Sequence, residues 1–548
     1  MISLYVIIKL LFLIKFIEGN QLIVDTTNGK LEGREFPSNN GRICYAFNGI
    51  PYAKPPTGEL RFKDPQPADS WSGVRGAYSF GSACVQLLYL YPPVETTMLG
   101  NEDCLYLSVY TPNTKPSNPY PTMVYMHGGA FGAGSGEIDK SPEYFLDHDM
   151  VLVLINYRLG PLGFLSTEDN EIKGNMGLKD QALALRWVKD NIANFGGDPN
   201  KVTIFGESAG SVSVHYHMLS PMSRGLFHRA ISQSGTAVSP WGYVPLGVAR
   251  SRAVKMANLF NCPAETSQQI AQCLRKQNAY DIVKSIRYFP ISQIDPSIVF
   301  TPTIDVNSSN PFLPVNPNEA EPAPVPWMVG CDSLEGIIRS GVFLRFPVFL
   351  DDFDKNFNRA APPAMFYDHT ANKPDEMTNK IRKFYFGDQS ITLSLFQNLT
   401  DMFSDSYMLW PTMKALKKHK GSNYFYYFDY EGQTTLQEVF STKKVLKGAS
   451  HSEEILYLWK INNPFELPSP TTESDIKMTK LLLKLIHNFA LSGNPTPPDF
   501  EFNWPLWNDE EQKFITIGNS GVMQEQYFQS ERMKFWEKLE REDKSIIA

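Results

Sequence analysis

Residues Lys201–Ser220 read KVTIFGESAGSVSVHYHMLS. Val202-Thr203-Ile204-Phe205 is a β-branched and aromatic run of the kind that fills a sheet interior, and Pro221 stops the segment that follows. Between them stands Gly206-Glu207-Ser208-Ala209-Gly210, a G-x-S-x-G pattern. A serine presented as a nucleophile on a sharp strand-to-helix bend needs strained backbone angles. Its neighbours two before and two after must then lack side chains so that strand and helix can pass closely. The bare pattern arises by chance, so its weight comes from the strand before it, the helix after it and partners elsewhere in the chain.

Apolar runs at Thr122–Met126, Val151–Ile155, Val202–Phe205, Ala230–Ser232 and Trp327–Val329 are each separated by enough chain for a crossover. Asp180–Phe195 carries apolar residues at helical spacing and ends at Gly196-Gly197, a helix stop signal. An aromatic strand is expected over Tyr424–Tyr430 and a helix over Lys477–Leu491, while Leu22–Phe36 reads as a hairpin around Asn28-Gly29. Uninterrupted apolar strands alternating with helices predict an α/β fold whose mostly parallel central sheet is covered by helices on both faces.

At 548 residues and 42% apolar composition the chain can bury a large core and is too polar for a membrane bundle. No repeat, low-complexity stretch or linker divides it, so residues 20–548 are expected to form a single domain. A net charge of −7 gives a nucleic acid no electrostatic footprint to bind.

Residues 1–19 read as a secretory signal peptide: Met1–Ile17 is largely apolar, Lys9 and Lys15 make it a poor membrane span, and Gly19 offers a small residue for cleavage. The C-terminus has neither an anchoring tail nor a retention ending, so secretion without a stable membrane anchor is the expected destination. Asn307-Ser308-Ser309 and Asn398-Leu399-Thr400 are sequons that would accept N-glycans on surface loops. Cysteines 44, 84, 104, 262, 273 and 331 fit an oxidising compartment better than a metal site, because no C-x-x-C or Cys/His cluster is present. Neither metal nor cofactor is expected.

Partners for Ser208 are sought at the carboxyl ends of the parallel strands. Thr122–Met126 runs into His127-Gly128-Gly129-Ala130-Phe131-Gly132, a loop whose backbone N–H groups can converge on an anionic oxygen. Gly128, Gly129 and Ala209 are therefore the expected oxyanion donors, with His127 structural. The strand Trp327–Val329 runs into Gly330-Cys331-Asp332-Ser333-Leu334-Glu335-Gly336, where Asp332 and Glu335 both qualify as an acid. His215 and His217 lie along the helix leaving Ser208, and His487 reads as a packed core residue. His451, late in the chain and in the loop Gly448-Ala449-Ser450-His451, is the candidate base.

These segments resemble the type-B carboxylesterases of the cholinesterase branch of the α/β-hydrolases, most of all insect carboxylesterases. The likeness extends to Phe47–Ala53, Arg61-Phe62, Glu102–Leu107, Asn156-Tyr157-Arg158, Phe195–Pro199 and Ser232-Gln233-Ser234-Gly235. It implies the α/β-hydrolase fold, Ser208 as nucleophile, Glu335 rather than Asp332 as acid and His451 as base. It also implies disulfides Cys84–Cys104 and Cys262–Cys273, ion pairs Arg61–Glu102 and Arg158–Asp180, and Trp241 lining an acyl pocket. Ala130 and Ser108 depart from the family pattern, which usually has glycine and asparagine there. The loop after Cys84 reads Val85-Gln86-Leu87-Leu88 without tryptophan, and Ile338-Arg339 stand where cholinesterases place aromatics, so a quaternary ammonium would lack its aromatic cage.

Three functions compete on this reading. The first is a secreted serine carboxylesterase for neutral odorant, pheromone, xenobiotic or lipid-like esters, with a small-molecule ester as its partner and an oligomeric state the sequence leaves open. The second is a juvenile hormone esterase, although such relatives typically show Gln where this chain has Glu207. The third is a non-catalytic cholinesterase-like adhesion protein.

Overall fold

The computed structural model describes residues 22–87, 97–137, 140–461 and 469–544; the expected signal peptide, residues 1–19, lies outside them. An 11-stranded sheet organises the chain. Its strands are β1 (Arg34–Pro37), β2 (Ile43–Pro51), β3 (Tyr106–Thr111), β4 (Tyr120–Met126), β5 (Val151–Ile155), β6 (Gly197–Glu207), β7 (Arg229–Gln233), β8 (Trp327–Asp332), β9 (Asn423–Asp429), β10 (Lys513–Gly518) and β11 (Gly521–Gln526). Their spatial order is β11-β10-β9-β8-β7-β6-β4-β5-β3-β2-β1. All pairings from β5 across to β10 are parallel, and antiparallel pairs close both edges.

The apolar runs form strands because every second residue has a covered face to fill. On β6, Val202 and Ile204 enter the core on one side of the sheet, while Phe205 enters the core on the other. Helix α1 (Met176–Asn191) contributes to the first core, and α2 (Ala209–Leu219) packs there against β6 and β7. Helix α4 (Glu473–Ser492) covers the opposite face of β4 and β6. Burying each of Val202, Ile204 and Phe205 stabilises the fold by about 1.5–3 kcal/mol relative to exposure.

The differences from expectation are local. α1 starts at Met176 rather than Asp180, and a 3₁₀ turn carries it through Phe195 to Gly196, whose φ of 83° supplies the left-handed stop. The N-terminal hairpin pairs Ile23–Thr26 with Gly29–Glu32, but it belongs to a separate three-stranded sheet. Asn307 is exposed on a loop. Asn398 is exposed too, yet it sits on the helix Phe396–Ser404 rather than a loop, and Thr400 of its sequon is buried. His487 is half-buried beside His148 rather than packed in the core.

Both disulfides are closed, Cys84 to Cys104 and Cys262 to Cys273, and Cys44 and Cys331 are free and buried. Arg61 grips both oxygens of Glu102 at 2.6 Å. Arg158 does the same to buried Asp180 at 2.8 and 2.7 Å. Largely buried ions of this kind persist because each guanidinium fork satisfies a whole carboxylate. No helix among the described residues is long and apolar enough to cross a membrane.

Candidate active site

Ser208 sits at the bend between β6 and α2 with φ 56° and ψ −121°, a combination that costs a non-glycine residue backbone energy. Its N–H donates to the Gln233 carbonyl at 2.8 Å and its own carbonyl accepts from Val212 N at 2.9 Å, so the strain is held from both sides. The flanking glycines are dictated by close approach. A Cβ on Gly206 would meet the Met126 carbonyl oxygen at 2.5 Å, and one on Gly210 would meet it at 1.9 Å.

His451 Nε2 lies 3.0 Å from Ser208 Oγ, and His451 Nδ1 lies 2.5 Å from Glu335 Oε2. Glu335 is placed by the turn between β8 and α3 (Ile337–Arg345), and its Oε1 accepts from Asp332 N at 2.9 Å. The next residue must be glycine, because a Cβ on Gly336 would stand 2.1 Å from the Thr400 carbonyl oxygen. The histidine loop is pinned to the same turn: Leu334 N donates to the Ala449 carbonyl and Ala449 N donates to Ser333 Oγ, both at 2.8 Å.

Burial pushes the His451 imidazolium pKa down, but the carboxylates of Glu335, Glu207 and Glu454 together outweigh it, so His451 titrates above its ordinary value. The other histidines on α2 are spent structurally. His215 Nδ1 accepts from Ala237 N, and His217 bonds Ser223 and Gln181; burial lowers both pKa values to about 3.

The Gly128–Gly134 loop runs alongside the serine, with the Cβ position of Gly128 3.2 Å from Ser208 Cβ. Gly129 has φ 103°, and a Cβ there would meet the Ala133 carbonyl oxygen at 2.2 Å. Ala130 keeps φ 55°, so the departure from glycine at this position leaves the loop's left-handed turn in place. Gln86 clamps the far end, donating to the Gly134 carbonyl at 2.9 Å and accepting from its N–H at 2.8 Å. His127 is stacked on Tyr157, with ring centroids 4.3 Å apart, and is buried as part of the loop's support. Ala209, the third expected donor, is the first residue of α2, where backbone N–H groups and the helix dipole favour negative charge.

Trp241 is buried, donates Nε1–H to the Tyr407 carbonyl at 3.1 Å and lies 6.4 Å from the Phe131 ring. A Cβ built on Gly235 would stand 3.1 Å from the Ser208 carbonyl oxygen and 3.4 Å from the Trp241 ring, which places that ring near the serine. Arg339, four residues past Glu335, is buried against Asp295, its Nη2 2.6 Å from Oδ2, with its guanidinium 4.4 Å from the Phe343 ring centroid. Among the described residues no group of three or more His, Cys, Asp or Glu is arranged to hold a metal ion.

Sequence reasoning missed the carboxylates around His451. Glu207 is hydrogen-bonded to Ser452 and lies 3.4 Å from His451 Nε2. Glu453 and Glu454 are both buried behind it. Their signal was the run His451-Ser452-Glu453-Glu454 itself, which looks like a solvated charge cluster until the loop is folded inward.

A serine at a strained strand-to-helix bend, bonded to a histidine that is bonded to a glutamate, defines a serine hydrolase site on an α/β-hydrolase fold. The carboxylesterase family model matches residues 20–536. The juvenile hormone esterase of Tribolium castaneum is 38% identical over 91% of this chain and 88% of its own length. Esterase E4 of Myzus persicae is also 38% identical, over 88% of each chain. The pyrethroid hydrolase Ces2a of Mus musculus is 32% identical over 96% of this chain and 94% of its own. The chain belongs to the carboxylesterase family and is a carboxylic-ester hydrolase.

Proposed function

We propose that this protein is a secreted serine carboxylesterase, formed by a single domain over residues 20–548, that hydrolyses neutral, largely apolar esters through an acyl-enzyme on Ser208. The observation that carries this reading is the continuous hydrogen-bonded line from Ser208 Oγ through His451 to Glu335. Ser208 Oγ attacks the ester carbonyl carbon while His451 Nε2 takes the hydroxyl proton, and Glu335 stabilises the resulting imidazolium. The N–H groups of Gly128, Gly129 and Ala209 receive the charge that develops on the carbonyl oxygen. Collapse expels the alcohol, which receives the proton from His451; a water activated by the same imidazole then releases the acid.

Neutral substrates are favoured because Ile338 and Arg339 follow Glu335, and Arg339 carries its own carboxylate partner, so no aromatic cage for a cation is evident among the described residues. The leader-like Met1–Ile17 and the two closed disulfides support secretion. The relative named juvenile hormone esterase favours a second reading, hormone turnover, whereas Glu207 beside the nucleophile argues for the broader esterase. Stoichiometric labelling of Ser208 by a fluorophosphonate probe is the expected result. A chain that stays unlabelled is the adhesion protein instead. Turnover of juvenile hormone far above simple neutral esters would replace the broad reading with the hormone-specific one.

A further inference from the structure

Behind the His451–Glu335 bond lie two more carboxyl groups that the reaction as described does not use. Asp332, at the end of β8, and Glu454, three residues after His451, are fully buried and hydrogen-bonded to each other. Asp332 Oδ2 accepts from Glu453 N at 3.2 Å and from Ser234 Oγ at 3.4 Å. Glu454 Oε1 accepts from Tyr426 OH at 3.0 Å and from Gln233 Nε2 at 3.4 Å. The remaining oxygens, Asp332 Oδ1 and Glu454 Oε2, meet no donor from the rest of the protein.

Two ionised carboxylates cannot hydrogen-bond to each other, and like charges in contact without water cannot both persist. One proton between them removes the conflict. The surroundings point the same way. Glu335 and Glu453 face Asp332, Glu335 and Glu207 face Glu454, and among the described residues His451 is the one neighbour that can carry positive charge, when it is protonated. Tyr426 and Cys331 are held neutral by burial. On its far side Glu454 borders a cavity of about 20 Å³ lined by Gln233, Tyr426, Met328, Leu458, Leu482 and Trp504, room for about one water and not for the hydration shell of a second charge. Burial and neighbouring carboxylates push the Asp332 pKa well up, which agrees with the geometry.

We propose that Asp332 and Glu454 share a single proton and, as one monoanionic hydrogen-bonded unit, tie the loop carrying His451 to the strand end carrying Glu335, serving as positioning residues for ester hydrolysis. The proposal rests on the reading of Ser208, His451 and Glu335 as the reacting line. Asp332 is the joint of the unit: its N–H holds Glu335 Oε1, its Oδ2 holds the Glu453 N–H, and its carboxyl group meets Glu454. The shared proton keeps the pair at one negative charge, so the field it exerts on His451 is that of one carboxylate rather than two.

Amide replacements test this directly, because an amide N–H can take the place of the shared proton. Asp332→Asn and Glu454→Gln each leave the pair with one charge and one hydrogen bond. In either, the acid limb of kcat/KM on a neutral ester should stay within about 0.3 pH unit of wild type. The double variant removes the charge and should move the limb down by about 1 unit, the scale of one charge several ångströms away at a protein-like dielectric. Asp332→Ala, which breaks the tie, should lose kcat at least about tenfold where Asp332→Asn does not. Infrared difference spectra at pH 7, wild type minus variant, should show a protonated-carboxyl band that either single amide variant removes.

Single variants that each move the limb down by about 1 unit and leave the carboxyl band unchanged would mean two ionised carboxylates and overturn the proposal. Should Asp332→Asn fail to fold, Glu454→Gln carries the same two readouts. Failure of the fluorophosphonate probe to label Ser208 would strike the reading of the triad, while the infrared band would still decide the proton-sharing pair.

Discussion

His451 Nε2 stands 3.0 Å from Ser208 Oγ across 243 positions of sequence. β6 delivers the serine, and the loop after β9 delivers the histidine from two strands beyond β7. Replacing Ser208 or His451 by alanine should lower kcat by about 10⁴ or more with the fold intact, since residues that act as one unit fail together. Glu335→Gln should be crippled as well, whereas Asp332→Asn should stay within a few-fold. A Ser208→Ala protein that keeps a tenth of its activity would reject the assignment, and Asp332→Asn falling furthest would exchange the acids.

Activity should rise with pH through a titration above about 6.5, the ordinary histidine value. The sequence alone predicts a limb near that ordinary value; the Glu335 carboxylate at Nδ1 moves it upward. The sign follows from which form works. Neutral His451 accepts the serine proton, so kcat/KM is full above the raised pKa and is lost as pH falls through it. A pH profile of kcat/KM whose acid limb lies at or below 6.5 would remove Glu335 as the dominant influence on the imidazole.

Cys84→Ser should lower thermal stability visibly. The bridge to Cys104 spans 20 residues, and closing a loop of that size is worth about 3 kcal/mol in the chain-entropy model. Gln86, two residues on, grips Gly134 of the glycine-rich loop, so the variant should also lose turnover before it unfolds. Peptide mapping without reduction should find Cys44 and Cys331 as thiols.

Trp241→Leu should improve hydrolysis of branched or bulky acyl esters relative to acetates, by about 1–3 kcal/mol in the ratio of kcat/KM values. The ring lies close to the Ser208 carbonyl and to Phe131 of the glycine-rich loop, where an acyl group would be limited in size. An unchanged acyl profile would make Trp241 a core residue. Acetylcholine preferred over neutral acetates would sink the neutral-ester reading.

What could be read from the sequence was the part that depends on local backbone geometry. Gly206 and Gly210 announce a bend that no side chain can share, whereas Asp332 and Glu335 stood as equal candidates for the acid on their residues alone. β6 and α2 follow from the residues of one short stretch, because steric demands of this kind are settled within a few residues. The family likeness added the disulfide partners, which spacing cannot supply.

The tertiary structure alone decided which side chains meet. Asp332 and Glu335 share one turn, yet the second reaches His451 while the first points to Glu454, a choice set by how the loop after β9 crosses the end of β8. Glu207, Glu453 and Glu454 carried no assigned role in the sequence, yet all three are buried in the fold, with Glu207 3.4 Å from His451 Nε2. Local rules fix backbone shape, but the order of strands in the sheet fixes which loops share a space, and burial in that shared space sets their charge.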